Sequence, residues 1–375
     1  MEQKIRENLG FKTGLDSAEL VWVNFHFKDK ILYFRAMKFL RKLLFPFALI
    51  YGAILHIRNF LYNQSFFSVY SAPIPVIAVG NLSVGGTGKT PMIEYLIRLL
   101  QSQYSVAVLS RGYKRKSNGF VLANESTSVH ELGDEPFQFL QKFPNITVAV
   151  DANRTNGINQ ILIQKTNTQI ILLDDAYQHR KVKAGLYILL TAYNDLFCDD
   201  YVLPMGNLRE ARSGKKRAHL VVVTKCPPAL SVSEQASIKA KLGVSQPVFF
   251  TSIGYDEQVY SSSKQLSVAE IKPQQKVLLA GIAKPQPFFQ ALQSGQDQEL
   301  VYPDHHNFSS AELAEIERIA AQNLVITTEK DYVRLQHQLP ENSLYYLPIQ
   351  TQFIAEEVAF IQYIKSHVES STRNR

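Results

Sequence analysis

The sequence predicts an α/β fold built on a layered parallel sheet, and three observations carry that expectation. From Pro75 onward, short apolar runs rich in β-branched residues alternate with stretches of helical pattern. The runs are apolar throughout rather than at every second residue, as in strands buried on both faces of a parallel sheet. One of them, Val76 to Val79, passes directly into a glycine-rich turn and then a helix, the order in which layered α/β chains present a phosphate-binding loop.

Taken in chain order, the first segment stands apart. Residues 1–36 are mixed in charge and hold the only tryptophan, Trp22, ahead of Met37-Lys-Phe-Leu-Arg-Lys42. Met37 reads as a natural start and 1–36 as an upstream extension. The run Leu43 to Ile57 is apolar but contains Pro46 and Gly52. It is shorter than the roughly 20 residues a bilayer core requires, and no small-residue cleavage site follows it. A helix in the membrane interface fits, with Lys38, Arg41, Lys42 and Arg58 toward lipid phosphates and aromatic anchoring from Phe60, Tyr62, Phe66 and Phe67. A buried core helix is the alternative.

The strands that follow are Val76–Gly80, Val106–Ser110, Thr147–Val150, Ile170–Asp174, Tyr187–Thr191 and Leu220–Thr224, with a helix at Pro91–Leu100 opened by Thr90 and a proline in its first turn. A second set comprises Val248–Ser252, Lys276–Gly281, Leu324–Thr328 and Leu344–Pro348, with the polar stretch Gly254 to Gln275 as a junction. The expected organisation is therefore a membrane-associated helix in 37–70, a P-loop NTPase-like domain in 71–255 and a smaller C-terminal α/β domain in 256–375.

Composition narrows the function classes. The chain has 375 residues, 46% of them hydrophobic and 19% charged, a globular balance. Two cysteines, Cys198 and Cys226, build no disulfide framework. The net charge of +7 points to anionic partners, but no zinc-finger, RNP or basic-zipper pattern appears, which argues against nucleic acid. No sign of an obligate protein partner is evident.

Chemistry concentrates first in Gly80-Asn-Leu-Ser-Val-Gly-Gly-Thr-Gly-Lys-Thr-Pro91. Ser83, Val84, Gly85, Gly86, Thr87, Gly88, Lys89 and Thr90 are the nucleotide-binding candidates: the backbone N–H groups of Gly85 to Thr90 are placed to wrap an anionic phosphate, aided by the positive end of the next helix. Lys89 would reach the terminal phosphates, and the Thr90 hydroxyl would ligate Mg²⁺. Ser83 stands where the strict motif has its first glycine. An apolar strand then delivers Asp174 and Asp175 at its C-terminal end, the place where α/β sheets put ligands, as candidate Mg²⁺ carboxylates. Arg111, Tyr113 and Arg115 follow a strand end, and Arg209 and Glu210 occupy a Gly206-Asn-Leu-Arg-Glu loop. Arg111, Tyr113 and Arg209 are the substrate-binding candidates, because planar guanidinium groups suit phosphate. Thr224-Lys225 is a candidate adenine contact, and Thr327 to Asp331 reads as capping or nucleotide contact.

Those motifs, with Leu109-Ser-Arg-Gly-Tyr-Lys-Arg115, Gly133-Asp-Glu-Pro136, Leu173-Asp-Asp-Ala-Tyr-Gln-His179, Leu208-Arg-Glu210, Asp304-His-His306 and Thr327-Thr-Glu-Lys-Asp331, occur in an order that resembles the lipid A 4′-kinases. The resemblance spans Met37 to the C-terminus; Ala176 departs from the glycine often found there, and Tyr177 replaces phenylalanine. It implies transfer of the ATP γ-phosphoryl group to the 4′-hydroxyl of a tetraacylated glucosamine disaccharide 1-phosphate. It also implies two α/β domains with the site between them, and an N-terminal helix at the cytoplasmic face of the inner membrane. The family's catalytic dyad maps onto Asp134 and His305, one from each domain, with His306 the rival for the histidine role. Two other classes compete. A switch NTPase would carry an Asn-Lys-x-Asp base-recognition loop, and Thr224-Lys-Cys-Pro227 lacks both partners. A non-catalytic membrane protein would have no use for Lys89, Thr90, Asp134 and Asp174 together.

Overall fold

The computed structural model describes residues 41–304, 306–336, 338–339 and 343–373. Met37, Lys38, the segment 1–36 and His305 lie outside the described residues. Two mixed, largely parallel sheets dominate. The larger has nine strands in the order Ile349–Phe353, Val248–Tyr255, Leu220–Thr224, Leu186–Ala192, Val76–Asn81, Ile170–Asp174, Val106–Ser110, Thr147–Val150 and Val121–Leu122. All its pairings are parallel except those of the two edge strands. The strand that feeds the glycine-rich loop is central, with register Val79↔Asp174 on one side and Val79↔Ile188 on the other. Its six residues are all buried, as the unbroken apolar run requires.

One face of this sheet is covered by the helix Lys89–Leu100, whose Met92, Ile93, Leu96, Ile97 and Leu100 are buried against Ile77, Val108 and Leu172. Met92, Leu96 and Leu100 recur at four-residue spacing, the apolar stripe of an amphipathic helix. The opposite face packs Ile158 and Ile161 of the helix Arg154–Gln164 on Ala107, Leu109 and Leu173.

The six-stranded sheet runs Gln265–Ser267, Gln258–Tyr260, Leu344–Leu347, Val325–Thr328, Val277–Ala280 and Gln298–Val301. Here structure and sequence reading diverge. The stretch assigned to one C-terminal unit does not stay together: Ile349–Phe353 pairs antiparallel with Val248–Tyr255 in the larger sheet. The final helix, Glu357–Arg373, then buries Phe360, Ile364 and Val368 in the core around the phosphate-loop helix. The cause is an i, i+4, i+8 stripe that meets an aromatic cluster, with Phe360 at 4.7 Å from Phe353 and 5.2 Å from Phe249 between ring centroids.

The N-terminal helix is Phe45–Asn63, with Pro46 in its first turn. Among the described residues no helix is long and apolar enough to cross a membrane. Only Ala48 and Leu55 of this helix are buried, while Phe47, Ile50, Ile54 and Ile57 are each about 60% exposed on the opposite side. Asn59 Nδ2 fastens it by donating to Glu210 Oε1 at 2.7 Å. Arg41, expected to face lipid phosphates, instead donates to the Gly206 carbonyl and, at 2.9 Å, to Asn207 Oδ1.

Candidate functional site

The loop Ser83 to Thr90 owes its shape to two glycines. Gly85 has φ 106° and Gly88, the N-cap of Lys89–Leu100, has φ 81°, conformations that disfavour any Cβ. The helix therefore begins two residues earlier than its proline suggested. Ser83 adopts no such conformation; it is buried and bridges Leu208, so the missing first glycine leaves the loop intact. Neighbouring segments brace the loop. Val84 N–H donates to Asn207 O at 2.7 Å, Thr224 Oγ1 donates to Thr87 O at 2.8 Å, and Lys225 Nζ donates to Gly86 O at 2.6 Å. Thr224 and Lys225 thus support the loop backbone, a role their sequence gave no signal for.

Gly80 explains how the loop meets the carboxylates. A Cβ there would fall 2.7 Å from Tyr177 Cβ, so the bare backbone admits the chain just after Asp174-Asp175. Asp174 is fully buried, and Ser110 Oγ donates to its Oδ2 at 3.0 Å, while its Oδ1 has no partner. Burial, reinforced by the Asp175 charge, pushes the Asp174 carboxyl up to about 6. Asp175 sits at φ 46°, a strained conformation for a non-glycine residue. Although burial opposes it, its carboxyl is held below the ordinary range by Arg209 and Lys89. Arg209 grips it bidentately at 2.7 and 2.9 Å, and Lys89 Nζ lies 3.7 Å away. Asn81 Oδ1 receives both Arg209 Nη2 and, at 3.4 Å, Lys89 Nζ. The two like carboxylates are therefore driven apart in basicity by their surroundings.

Thr90 is half-buried in the first turn of the phosphate-loop helix. Arg209 is brought to the carboxylate centre itself. Arg111 and Tyr113 are exposed, Tyr113 at 71%, on a loop locked to the Asp134 segment: a Cβ on Gly133 would meet Tyr113 O at 2.9 Å. Asp134 opens the helix Asp134–Lys142 and pairs with Arg334 Nη2 at 3.0 Å. Arg334 Nη1 also donates to His306 O at 3.4 Å, so one guanidinium ties the Asp134 helix to the backbone at His306. His306 is engaged elsewhere, its Nε2 3.0 Å from Glu312 Oε1, in the capping box that opens Ser310–Ala320. Thr328 caps Glu329–Leu335, and Asp331 Oδ2 receives Thr328 Oγ1 at 2.7 Å and Gly281 N at 2.8 Å, which accounts for that motif as structure.

Sequence reasoning missed Arg154. It is almost fully buried and donates to the Asp174 carbonyl at 3.0 Å and to the Asp151 carbonyl; burial lowers it to about 10. A lone Arg on a helix, whose partners are set by the fold, offers no spacing to detect. Arg334 was missed for the same reason.

Known proteins carry the same layout. A family model described as tetraacyldisaccharide-1-P 4′-kinase matches residues 40–369. The chain is 60% identical over 339 residues to a Flavobacterium johnsoniae protein named tetraacyldisaccharide 4′-kinase, covering 89% of this chain and 100% of that protein. It is 43% identical to the protein of that name from Bacteroides thetaiotaomicron, across 89% of this chain and 95% of the relative. The crystal structure of the Aquifex aeolicus LpxK protein in complex with ATP superposes with a TM-score of 0.72 at 29% identity, covering 88% of this chain and 99% of that one.

Proposed function

The chain belongs to the tetraacyldisaccharide-1-P 4′-kinase family, and on that premise we propose that it transfers the γ-phosphoryl group of ATP to the 4′-hydroxyl of a tetraacyl glucosamine disaccharide 1-phosphate, a step of lipid A biosynthesis. The observation that carries this reading is the meeting of Lys89 with the strand-end carboxylates, 3.7 Å from Asp175. A loop lysine, a bundle of backbone N–H groups and an adjacent acidic strand end are the parts phosphoryl transfer calls for.

The donor set fits Mg²⁺. Asp174 offers a buried oxygen without a partner, and the Thr90 hydroxyl stands in the first turn of the loop helix. Among the described residues no cluster of three His, Cys, Asp or Glu exists; a phosphate-site Mg²⁺ needs only one or two carboxylates, the rest being phosphate and water. Bound there, the ion would neutralise charge on the transferring phosphates. We assign Asp174 and Thr90 to it, and Asp175 to holding Lys89 and Arg209 toward the γ-phosphoryl group. Asp134, 41% exposed, would accept the proton of the attacking hydroxyl, with His305 assigned to orient it. Arg111 and Tyr113, beside the Asp134 segment, would contact the acceptor.

We place Phe45–Asn63 at the cytoplasmic surface of the inner membrane. Support comes from the exposed row Phe47, Ile50, Ile54 and Ile57, an apolar stripe suited to an interface.

The test is label transfer from radiolabelled ATP to tetraacyl disaccharide 1-phosphate in detergent micelles. Acceptor-dependent label is expected, falling by about 10²-fold or more in Lys89→Ala and Asp134→Ala. ATP hydrolysis indifferent to the acceptor would move the reading to a switch NTPase.

A further inference from the structure

Two helices are pinned to each other at both ends beside the candidate base. Asp134–Lys142 leads into the larger sheet, and Glu329–Leu335 leaves the smaller one. The first residue of each helix meets the last turn of the other: Lys142 Nζ lies 2.9 Å from Glu329 Oε1, and Arg334 Nη2 donates to Asp134 Oδ2 at 3.0 Å. Between these polar ends Val333 is buried with Leu132 and Phe137. Arg334 thus stands on a firm base. Its helix is capped by Thr328, and Tyr332 packs on Tyr346 with ring centroids 4.6 Å apart. Asp134 is placed differently. It follows Gly133, whose φ is 90°, and its side chain is 41% exposed, so its own helix does not dictate which way the carboxylate turns. Among the described residues its one ion pair is with Arg334, and that contact takes Oδ2 alone. Oδ1 accepts no hydrogen bond from any of them.

Resting on the function proposed above, we infer that Arg334 is a positioning residue for phosphoryl transfer: it holds Asp134 by one carboxylate oxygen and leaves the other for the acceptor hydroxyl. In that step the hydroxyl oxygen forms a bond to the γ-phosphorus, and the bond from that phosphorus to the ADP oxygen breaks with its electron pair. The hydroxyl proton passes to Asp134 Oδ1. Arg334 exchanges no proton, because a guanidinium stays charged in proteins. A loose transition state asks the protein for placement, and a planar guanidinium on a fixed helix supplies it. Stability is not what the contact adds, since an ion pair this exposed contributes little. The same side chain also reaches the loop that carries the histidine assigned to orient the base. Its Nη1 donates to His306 O at 3.4 Å, on the residue that follows His305 in sequence. His306 is itself held, its ring 3.0 Å from Glu312 and packed on Tyr302 and Phe308 with centroids 5.1 and 5.0 Å away. One guanidinium therefore sets the Asp134 carboxylate against the backbone at His306.

The test follows label transfer from ATP to the tetraacyl disaccharide 1-phosphate in neutral-detergent micelles, with wild type, Arg334→Gln, Arg334→Lys, Asp134→Asn and the double variant Asp134→Asn/Arg334→Gln. Rates are taken per ATP-binding site, so a poorly folded fraction does not count as lost kcat. Arg334→Gln is expected to lower kcat by about 10- to 100-fold, the scale of a misplacement of about 1 Å. The KM for ATP, and the Tm increase that Mg²⁺ with ATP gives, should stay where they are in wild type. Arg334→Lys keeps a donor cation and should recover part of the loss. With Asp134 already replaced, adding Arg334→Gln should change the residual rate by less than about 2-fold, since no base remains to be placed. A kcat for Arg334→Gln within about 2-fold of wild type overturns the assignment. A loss of equal size in the Asp134→Asn background also overturns it, as does one carried by the KM for ATP, because Arg334 would then only brace the fold. These outcomes, with wild type active, leave the kinase reading standing; a wild type that transfers no label to the acceptor sinks that reading and the assignment with it.

Discussion

Burial and the neighbouring Asp175 lift the Asp174 carboxyl to about 6 from the ordinary 3.8, a difference worth roughly 3 kcal/mol. Folding thus raises this group's pKa, so the folded chain binds the proton more tightly. The stability gained is complete below about pH 3.8 and is lost as the pH climbs through about 6. Above that, the chain bears a buried charge awaiting a cation. Asp174→Asn is accordingly expected to raise Tm by a few degrees at pH 8 and not at pH 4, while removing transfer activity and the Tm increase that Mg²⁺ with ATP gives wild type; differential scanning calorimetry at both pH values checks it. At this scale the sequence was informative where chemistry and backbone shape coincide. Lys89, Asp174 and Gly88 declare themselves by their place after a strand. Arg154 and Lys225 do not, because what they do depends on carbonyls brought near only by folding.

The helices Lys89–Leu100, Asp134–Lys142 and Glu329–Leu335 meet at one buried knot. Lys142 Nζ lies 2.6 Å from Glu94 Oε2 and 2.9 Å from Glu329 Oε1, and Gln138 Nε2 donates to Glu94 Oε1 at 2.8 Å. Burial and the Glu94 charge raise the Glu329 carboxyl. Since Lys142 lies on the helix that begins with Asp134, the knot sets the candidate base relative to the phosphate loop. Lys142→Met would strand the buried Glu329 carboxylate, while Glu94 keeps Arg98 at 3.1 Å and Gln138, and is expected to cost about 3–5 kcal/mol. Adding Glu329→Gln should restore a substantial part of it, as denaturant titration of the single and double variants would reveal. Phe360→Ala should cost a comparable 3–5 kcal/mol by opening a cavity under the loop helix, read by the same titration. Apolar runs marked out the strands closely; Val106–Ser110, Thr147–Val150, Ile170–Asp174 and Leu220–Thr224 have the bounds expected of them. The return of the last strand and helix to the larger sheet was illegible, because pairing across about a hundred residues leaves no local pattern.

Over the whole molecule, an apolar row faces outward at the N-terminal helix and a single guanidinium, Arg334, spans from Asp134 to the His306 carbonyl. Ile50→Asp/Ile54→Asp is expected to abolish co-sedimentation with anionic phospholipid vesicles while leaving Tm nearly unchanged, since both side chains are about 60% exposed. Composition and basic flanks suggested that helix, yet only the folded chain separates its roles: Arg41 is spent on the Gly206-Asn207 loop and Arg58 donates to Asn59 Oδ1 at 3.3 Å.

The pairing Tyr255↔Ile349 has a further meaning. The chain leaves the larger sheet at Tyr255 and re-enters it at Ile349 on the adjacent strand, so everything between is an insertion at one sheet edge, tied back to the Asp134–Lys142 helix by Glu329 and Arg334. The antiparallel pairing sets the two ends of that insertion side by side. It also makes the excursion removable in principle: a two-residue turn suits antiparallel neighbours. A chain joined from Tyr255 to Ile349 by such a turn should keep a folded nucleotide-binding half that lacks Arg334 and the 304–306 loop, able to hold ATP and unable to phosphorylate the acceptor.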